Sequence, residues 1–203
     1  LETSPTYPNL VLNGKGTWDE TNQTMRTELV VVDLNTLEET VVMELNNGLS
    51  DPQAAMWAGF RWGEGGWIVA EKINDKQLYV VRPNGDSLHR VTDPASGAYH
   101  NPCWVAEGRE ILSLGYGPDG RGQRWRLTDI KGEVKQEFFL ADLPPSFVRY
   151  HQFADWRADS LLVSADPATR QALNIFSYPD MSLVKQIEVI HDKSNTPTIQ
   201  DHQ

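Results

Sequence analysis

Four predicted β-hairpins recur along this chain at almost constant spacing, and they indicate an all-β fold, a β-propeller of four-stranded antiparallel blades. The hairpin turns follow one another at intervals of 49, 47 and 49 residues. They lie at Asn35-Thr36, Asn84-Gly85, Lys131-Gly132 and Asp180-Met181. A repeat of roughly forty to fifty residues that consists of short strands is typical of propeller blades, so about four blades are expected here.

The strands on either side of these turns are the elements that carry the prediction. The predicted strand pairs are 29–34 with 39–45, 78–82 with 87–92, 124–128 with 133–139, and 173–178 with 183–190. We therefore expect residues 1–203 to form a single propeller domain or propeller segment. The expected blades are approximately 1–49, 50–97, 98–148 and 149–203.

Three tryptophans occupy equivalent positions in three of the predicted blades. They are Trp62, Trp104 and Trp156, and each precedes the apolar run of the second strand in its blade. A large aromatic side chain at this point would pack between adjacent blades. We interpret these three residues as repeated parts of the core rather than as ligand contacts.

The first and last repeats differ from the middle two. No tryptophan-bearing first strand precedes the second strand predicted at 9–14, whereas 196–203 looks like the beginning of a further repeat. The last segment either pairs with the first blade and closes a four-bladed ring, which removes exposed strand edges, or the chain is a segment of a larger propeller. Because four blades lie at the lower end of the known range, the sequence favours the segment.

The junction between the second and third repeats carries a more specific pattern. Its marker residues are Asn84-Gly85, Val91-Thr92-Asp93, Pro102, Trp104 and Gly108. This order resembles the repeat of TolB-like propellers, in which an Asn/Asp-Gly turn and a Leu-Thr-Asp turn lead to Pro-x-Trp-Ser-Pro-Asp-Gly. The chain departs from that pattern at Val105-Ala106-Glu107-Gly108. The resemblance implies a propeller fold and an extracytoplasmic protein, either periplasmic or secreted.

Composition and charge exclude several classes of partner. The net charge is -10, the sequence pI is about 4.9, and no segment concentrates Lys and Arg among aromatic residues. Nucleic acids and anionic membranes would therefore be repelled. No apolar run approaches the ~20 residues that cross a bilayer. The single Cys103 excludes an intrachain disulfide and is interpreted as a buried, small apolar residue.

Motifs of the common enzyme classes are absent from the sequence. There is no Gly-x-Ser-x-Gly elbow, no Walker loop, no His-Glu-x-x-His and no paired-cysteine zinc pattern. We therefore expect a non-catalytic protein without a cofactor. The Gly-rich segment 115–122 predicts a solvent-exposed loop, because Gly and Pro at this density do not continue a strand.

Three histidines lie at the start of predicted innermost strands, which line the axial channel of a propeller. They are His100, His151 and His202. Imidazoles brought together around one mouth of the channel would bind a divalent metal or an anionic ligand. Such a site would resemble the propeller-type oligogalacturonate lyases, which use channel histidines and a metal on an acidic sugar. In the alternative interpretation each histidine only bonds to the neighbouring backbone.

The sequence as a whole leads us to expect a propeller that binds a protein partner or an oligosaccharide through its channel face or its loops. Aromatic and arginine side chains in exposed loops often anchor such partners. The candidate ligand-binding residues are His100, His151, His202, Tyr99, Tyr150, Arg149, Tyr116 and Arg121. Two alternatives stay open. One is an oligogalacturonate lyase-like enzyme with the three histidines as metal ligands, and the other is the accessory gating propeller of a prolyl oligopeptidase-like serine peptidase.

Overall fold

Antiparallel strands make up nearly all of the regular structure. The computed structural model describes residues 1–50, 59–142, 155–156, 161–165, 172–178, 180–191 and 197–200. Within these residues, 17 strands form four sheets. Two 3₁₀ helices of three residues each, Pro94–Ser96 and Leu140–Asp142, are the helical elements of the same part of the chain.

Each sheet is a meander in which strands that are neighbours in sequence pair with each other. The first sheet contains β1 (Glu2–Thr3), β2 (Leu10–Asp19), β3 (Thr24–Asp33) and β4 (Glu39–Leu49). The second contains β5 (Phe60–Trp62), β6 (Ile68–Lys72), β7 (Gln77–Val81) and β8 (His89–Arg90). The third contains β9 (Ala98–Val105), β10 (Glu110–Tyr116), β11 (Arg124–Asp129) and β12 (Val134–Phe139). The fourth contains β13 (Asp155–Trp156), β14 (Leu161–Ala165), β15 (Ala172–Ser177), β16 (Leu183–His191) and β17 (Pro197–Gln200).

The first strands of the four sheets lie beside one another. Strand β1 contacts β5, β5 contacts β9, and β9 contacts β13, while the later strands of each sheet follow in order away from this contact. This is the arrangement of propeller blades, whose first strands surround the axis. The structure therefore confirms the predicted all-β propeller architecture of four-stranded antiparallel blades.

All four predicted turns connect the third strand of a sheet to the fourth. Two of them place a glycine in the left-handed region, with φ of 85° at Gly85 and 86° at Gly132. The other two hairpins place Leu37 (φ 61°) and Met181 (φ 56°) in the same region. Glycine adopts this conformation without a steric cost, so the Gly-containing turns gave the clearer signal in the sequence.

Two of the three predicted core tryptophans are described with their side chains, and both pack between sheets. Trp62 of β5 is buried against apolar residues of the first sheet, and Trp104 of β9 is buried against those of the second. The indole Nε1 of Trp104 also donates a hydrogen bond to the carbonyl oxygen of Arg61 at 3.0 Å. The predicted packing of these two residues is confirmed, whereas the side chain of Trp156 lies outside the described part of the chain.

Both ends of the chain differ from the sequence-based expectation. Glu2–Thr3 supplies a first strand to the first sheet, although no tryptophan marks it. Pro197–Gln200 pairs with β16 at the edge of the fourth sheet, so it neither begins a new inner strand nor pairs with the first blade. An antiparallel partner that is adjacent in sequence costs less loop-closure entropy than one at the other end of the chain, which favours this pairing.

Candidate functional site

A surface cavity of about 500 Å³ lies between the second and third sheets. It is bounded by the β6–β7 turn, by the first 3₁₀ helix with the start of β9, and by the loop that follows β10. Its lining residues are Asp75, Lys76, Gln77, Pro94, Gly97, Ala98, His100, Tyr116, Gly117, Pro118 and Gly120. One wall therefore belongs to β9, the axis-side strand of the third sheet.

The chain reaches β9 through a tightly built corner. The side chain of Asp93 caps the first 3₁₀ helix by accepting a hydrogen bond from the backbone N–H of Ala95 at 3.0 Å. The helix ends at Gly97, whose φ is 123°. A Cβ at this position would lie 1.8 Å from the carbonyl oxygen of Tyr116. Only glycine permits this close approach. Gly97 therefore allows β9 to begin directly against the end of β10, and the start of β9 forms one wall of the cavity.

His100 is held in place by a carboxylate from the neighbouring sheet. Its Nδ1 lies 2.6 Å from Oε1 of Glu71, whose side chain is only 8% exposed, while the histidine side chain is 30% exposed. A carboxylate only accepts hydrogen bonds, so Nδ1 carries the proton. In the neutral imidazole, Nε2 is then a free acceptor. The Tyr116 ring and the imidazole form a T-shaped contact, with 5.7 Å between the centroids and 71° between the ring planes.

Gln77 contributes a buried amide with one unused acceptor. Its side-chain Nε2 donates to the carbonyl oxygens of Gly97 at 2.7 Å and Asp75 at 3.3 Å. Gln77 is 1% exposed, and within the described residues its Oε1 has no hydrogen-bond partner. Leaving a buried amide oxygen without a partner costs about 1–3 kcal/mol.

Lys76 places a cation at the rim of the cavity. Its backbone has a φ of 55°, and its carbonyl oxygen accepts a hydrogen bond from the backbone N–H of Tyr99 at 2.9 Å. The residue is exposed, and in the part of the chain that the structure describes its ammonium forms no ion pair. The cavity thus combines polar side chains, an aromatic ring and two exposed residues of opposite charge, Asp75 and Lys76.

The residues that the sequence predicted for the site lie in different environments in the structure. It brings His100 and Tyr116 together in the cavity. Tyr99 is fully buried, with its hydroxyl 2.8 Å from Oγ of Ser96, which does not support direct contact with a ligand. Arg121 is exposed on the loop after β10 but does not line the cavity. Arg149, Tyr150, His151 and His202 lie outside the described residues, so the grouping of three histidines stays a prediction.

The residues that the structure describes do not by themselves form a metal site. Among them, no group of three or more His, Cys, Asp or Glu side chains is arranged to hold a metal ion. His100 alone fits the role of a ligand, because histidines that bind metals commonly donate their second ring nitrogen to a carboxylate such as that of Glu71.

Sequence reasoning missed Glu71 and Gln77. Glu71 follows Ile68-Val69-Ala70 in a buried strand, and an acidic residue within such an apolar run is a signal of a buried polar contact. Gln77 begins a strand and carries no comparable signal. Its role depends on the approach of Gly97 from a later part of the chain.

Comparison with known proteins finds similarity to solved structures, at the level of the fold. No protein-family model matches it, and no curated protein matches it. A solved oligogalacturonate lyase in complex with manganese is 16% identical, with 92% of this chain and 52% of that chain covered and a TM-score of 0.57. The β-propeller domain of the Trilobed protease from Pyrococcus furiosus is 13% identical, with 94% and 59% covered and a TM-score of 0.57. Pyrococcus horikoshii acylaminoacyl peptidase is 15% identical, with 93% and 33% covered and a TM-score of 0.59.

These likenesses confirm a β-propeller and the predicted propeller-type repeat at the level of the fold. The chain spans between a third and three fifths of the length of these solved proteins. That partial coverage fits the predicted segment of a larger propeller. Within the described residues, no helix is long and apolar enough to cross a membrane.

Proposed function

We propose that the chain is a non-catalytic portion of an extracytoplasmic propeller domain that binds a protein or an oligomeric ligand, with the cavity at His100 and Gln77 as the contact site. The observation that carries this proposal is the partly exposed imidazole of His100, which the Glu71 carboxylate holds in the wall of a cavity of about 500 Å³. Ligand pockets are commonly of this size and combine apolar walls with a few placed polar groups.

The side chains of the cavity are already oriented for binding. The Glu71 carboxylate holds the His100 imidazole, and two backbone carbonyls hold the amide of Gln77. A ligand would therefore bind without first ordering these groups, which lowers the entropic cost of association. The resemblance to TolB-like repeats supports the extracytoplasmic location, and fractionation of cells that produce the tagged full-length gene product tests it.

A binding screen with two ligand classes tests the proposed function. Immobilised peptides and oligosaccharides are screened against the wild-type chain and against His100→Ala and Tyr116→Ala. We expect saturable binding that weakens at least about tenfold in either variant, because each removes a cavity-lining side chain. Lys131→Ala, on an outer hairpin, is the control and should bind like the wild type. Absence of binding in both classes, or binding that neither variant changes, would refute the proposal.

The Glu71–His100 pair favours one enzymatic alternative. A carboxylate-held imidazole is the common arrangement of a metal-binding histidine, so His100 would be one metal ligand in a lyase that acts on acidic sugars. A bound metal ion would stabilise negative charge on a substrate carboxylate. Metal analysis of the purified wild-type chain and of His100→Ala tests this. A stoichiometric metal that is lost in the variant supports the alternative, and absence of both metal and uronide cleavage removes it.

The peptidase alternative depends on the parent gene. An accessory propeller of a serine peptidase requires a hydrolase segment in the same polypeptide, because the sequence in hand contains no nucleophile elbow. Sequencing of the full open reading frame shows whether such a hydrolase segment is encoded, and a reading frame without one would remove the peptidase alternative.

A further inference from the structure

We propose that His89 is a proton-dependent link between the second and third sheets, which it joins when both of its ring nitrogens are protonated. His89 begins β8, the outermost strand of the second sheet, and lies beside the turn between β11 and β12 of the third sheet. The link belongs to the same junction as the cavity, but it does not depend on the ligand proposed for that site.

Both ring nitrogens of His89 face backbone carbonyl oxygens. Nδ1 lies 2.7 Å from the carbonyl oxygen of Ser87 in its own hairpin, and Nε2 lies 2.7 Å from that of Ile130 in the third sheet's turn. A carbonyl oxygen only accepts hydrogen bonds, whereas a neutral imidazole has one donor and one acceptor nitrogen. In the neutral form, one of the two contacts would therefore set two lone pairs against each other. Only the imidazolium form donates to both oxygens.

Packing fixes the two sides of this link. The Trp67 indole forms a T-shaped contact with the imidazole, with 5.9 Å between the centroids and 87° between the ring planes. Trp67 and Ile130 both pack against the apolar cluster between the second and third sheets. A Cβ on Gly132 would lie 3.2 Å from the carbonyl oxygen of Val91, so the turn closely approaches the residues that follow β8. The distance from the imidazole to the Ile130 carbonyl is therefore set by the junction itself.

Charged residues of both signs lie on the elements that pack against the imidazole. They are Arg82, Asp86 and Arg90 in the β7–β8 hairpin, Glu64 in the turn before β6, and Asp129, Lys131 and Glu133 in the β11–β12 turn. Arg82 lies over the Trp67 ring, 3.9 Å from its centroid, and donates to the carbonyl oxygen of Gly65. Arg90 pairs with Tyr79 and lies on the opposite face of the strand. Since solvent screens charges of both signs at this exposed position, the two direct hydrogen bonds decide which form of the imidazole fits.

The link makes the junction between the two sheets sensitive to pH. In the unfolded chain the imidazole has no fixed carbonyl partners, so unfolding releases the second proton. The stability that the second hydrogen bond gives is therefore present in acid, below the ordinary histidine value of about 6.5, and is lost as the pH rises above it. Acid should strengthen this contact between the sheets.

A nuclear magnetic resonance titration of the wild-type chain tests the proposal. The isotope-labelled protein is taken from about pH 8 to about pH 5, and the ring nitrogens of His89 and the carbonyl carbons of Ser87 and Ile130 are observed. We expect the ring to gain its second proton and both carbonyl carbons to shift with the same midpoint. Both carbonyl shifts should be absent in His89→Gln. The carbonyl carbon of Thr36, in the hairpin of the first sheet, is the control and should not shift.

Thermal unfolding measures what the link contributes. The wild type and His89→Gln are compared at about pH 5.5 and about pH 8, because the amide of glutamine does not titrate in this range. We expect the difference between their unfolding midpoints to be about 2 to 4 °C larger at the lower pH, the effect of roughly one net hydrogen bond in a chain of this length. The other histidines titrate in both proteins, so their contributions cancel in the difference.

Two results would overturn the proposal. A carbonyl carbon of Ile130 that does not shift while the His89 ring titrates would show that the imidazolium does not reach the third sheet. A midpoint difference that is equal at both pH values, or larger at about pH 8, would show that the second proton does not stabilise the fold. If His89→Gln does not fold, the titration of the wild-type chain decides the proposal alone.

Discussion

Gly63→Ala is the substitution that tests the packing between the second and third sheets most sharply. A Cβ at Gly63 would lie between 2.8 and 3.0 Å from three atoms of the Trp104 indole. The indole is buried, and its Nε1 donates to the carbonyl oxygen of Arg61, so it cannot withdraw without losing that hydrogen bond. The added methyl group therefore forces the two sheets apart or displaces the ring.

The expected cost is large for a single methyl group. Overpacking of a core commonly costs about 1–3 kcal/mol, and loss of a hydrogen bond adds about 0.5–1.5 kcal/mol. We expect Gly63→Ala to lower the free energy of unfolding by about 2 to 4 kcal/mol. For a chain of this length, this corresponds to a fall of roughly 5 to 15 °C in the midpoint of thermal unfolding.

Urea and thermal unfolding followed by circular dichroism measure this effect. Gly16→Ala is the matched control, because a Cβ there meets only the flexible side chain of Met25 at 3.4 Å. It should change the free energy of unfolding by less than about 1 kcal/mol. In a Trp104→Leu background, which lacks the indole, Gly63→Ala should cost less than about 1 kcal/mol. An equal cost in both backgrounds would refute the proposed contact.

Three further predictions concern the hairpins and the contact between the third and fourth sheets. Burial and the hydrogen bond to the Glu110 carboxylate raise the pKa of Tyr178 above its usual value of 10.0. The free energy of unfolding should therefore fall as the pH rises above about 10. Tyr178→Phe should reduce that fall. Burial opposes ionisation of Asp129, but hydrogen bonds from two backbone N–H groups and Lys135 hold its pKa below 3.8. The stability this gives is present above pH 3.8 and should be lost as the pH falls through the lowered pKa, and Asp129→Asn should abolish this contribution. Gly132→Ala, at a φ of 86°, should destabilise the protein by about 1 to 2 kcal/mol.

Each of these predictions has a result that contradicts it. An alkaline unfolding profile that is identical in the wild type and Tyr178→Phe would remove the role of that tyrosine. An acid profile unchanged by Asp129→Asn would show that the carboxylate is not held in its ionised form by the turn. A neutral or stabilising effect of Gly132→Ala in urea unfolding would contradict the left-handed turn.

The fold could be predicted from sequence where the signals are local. The turns around Gly85 and Gly132 need a left-handed residue, and Trp62 and Trp104 occupy the same point in the second and third blades. These features depend on neighbouring residues and on spacing. The spacing of the hairpins therefore predicted the blades before any contact was known.

The strands at the two ends of the chain and the length of the β2–β3 hairpin could not be predicted from local signals in the sequence. Strand β1 has two residues, too few to show a period, and the edge position of β17 depends on which partner it meets. Strands β2 and β3 each run for ten residues, although exposed residues in their outer halves interrupt the apolar pattern. Their length is set by pairing with each other rather than by burial.

The candidate site was predicted only in part, for a similar reason. His100 was predicted as an imidazole at the start of an axis-side strand, and Tyr116 as an aromatic residue of an exposed loop. Glu71 and Gln77 were not predicted, because their roles require the second sheet to meet the third. Contacts between sheets join residues that are 20 or more positions apart, and no local pattern in a single sequence reports them.

The central claim is that the cavity between the second and third sheets binds the ligand of this protein, and nuclear magnetic resonance tests it most directly. The ligand that binds most tightly in the peptide and oligosaccharide screen is titrated into the isotope-labelled chain while the imidazole of His100 and the ring of Tyr116 are observed. We predict saturable shifts of both rings that give one dissociation constant. Saturable binding of that ligand that leaves the resonances of His100 and Tyr116 unchanged would contradict the claim.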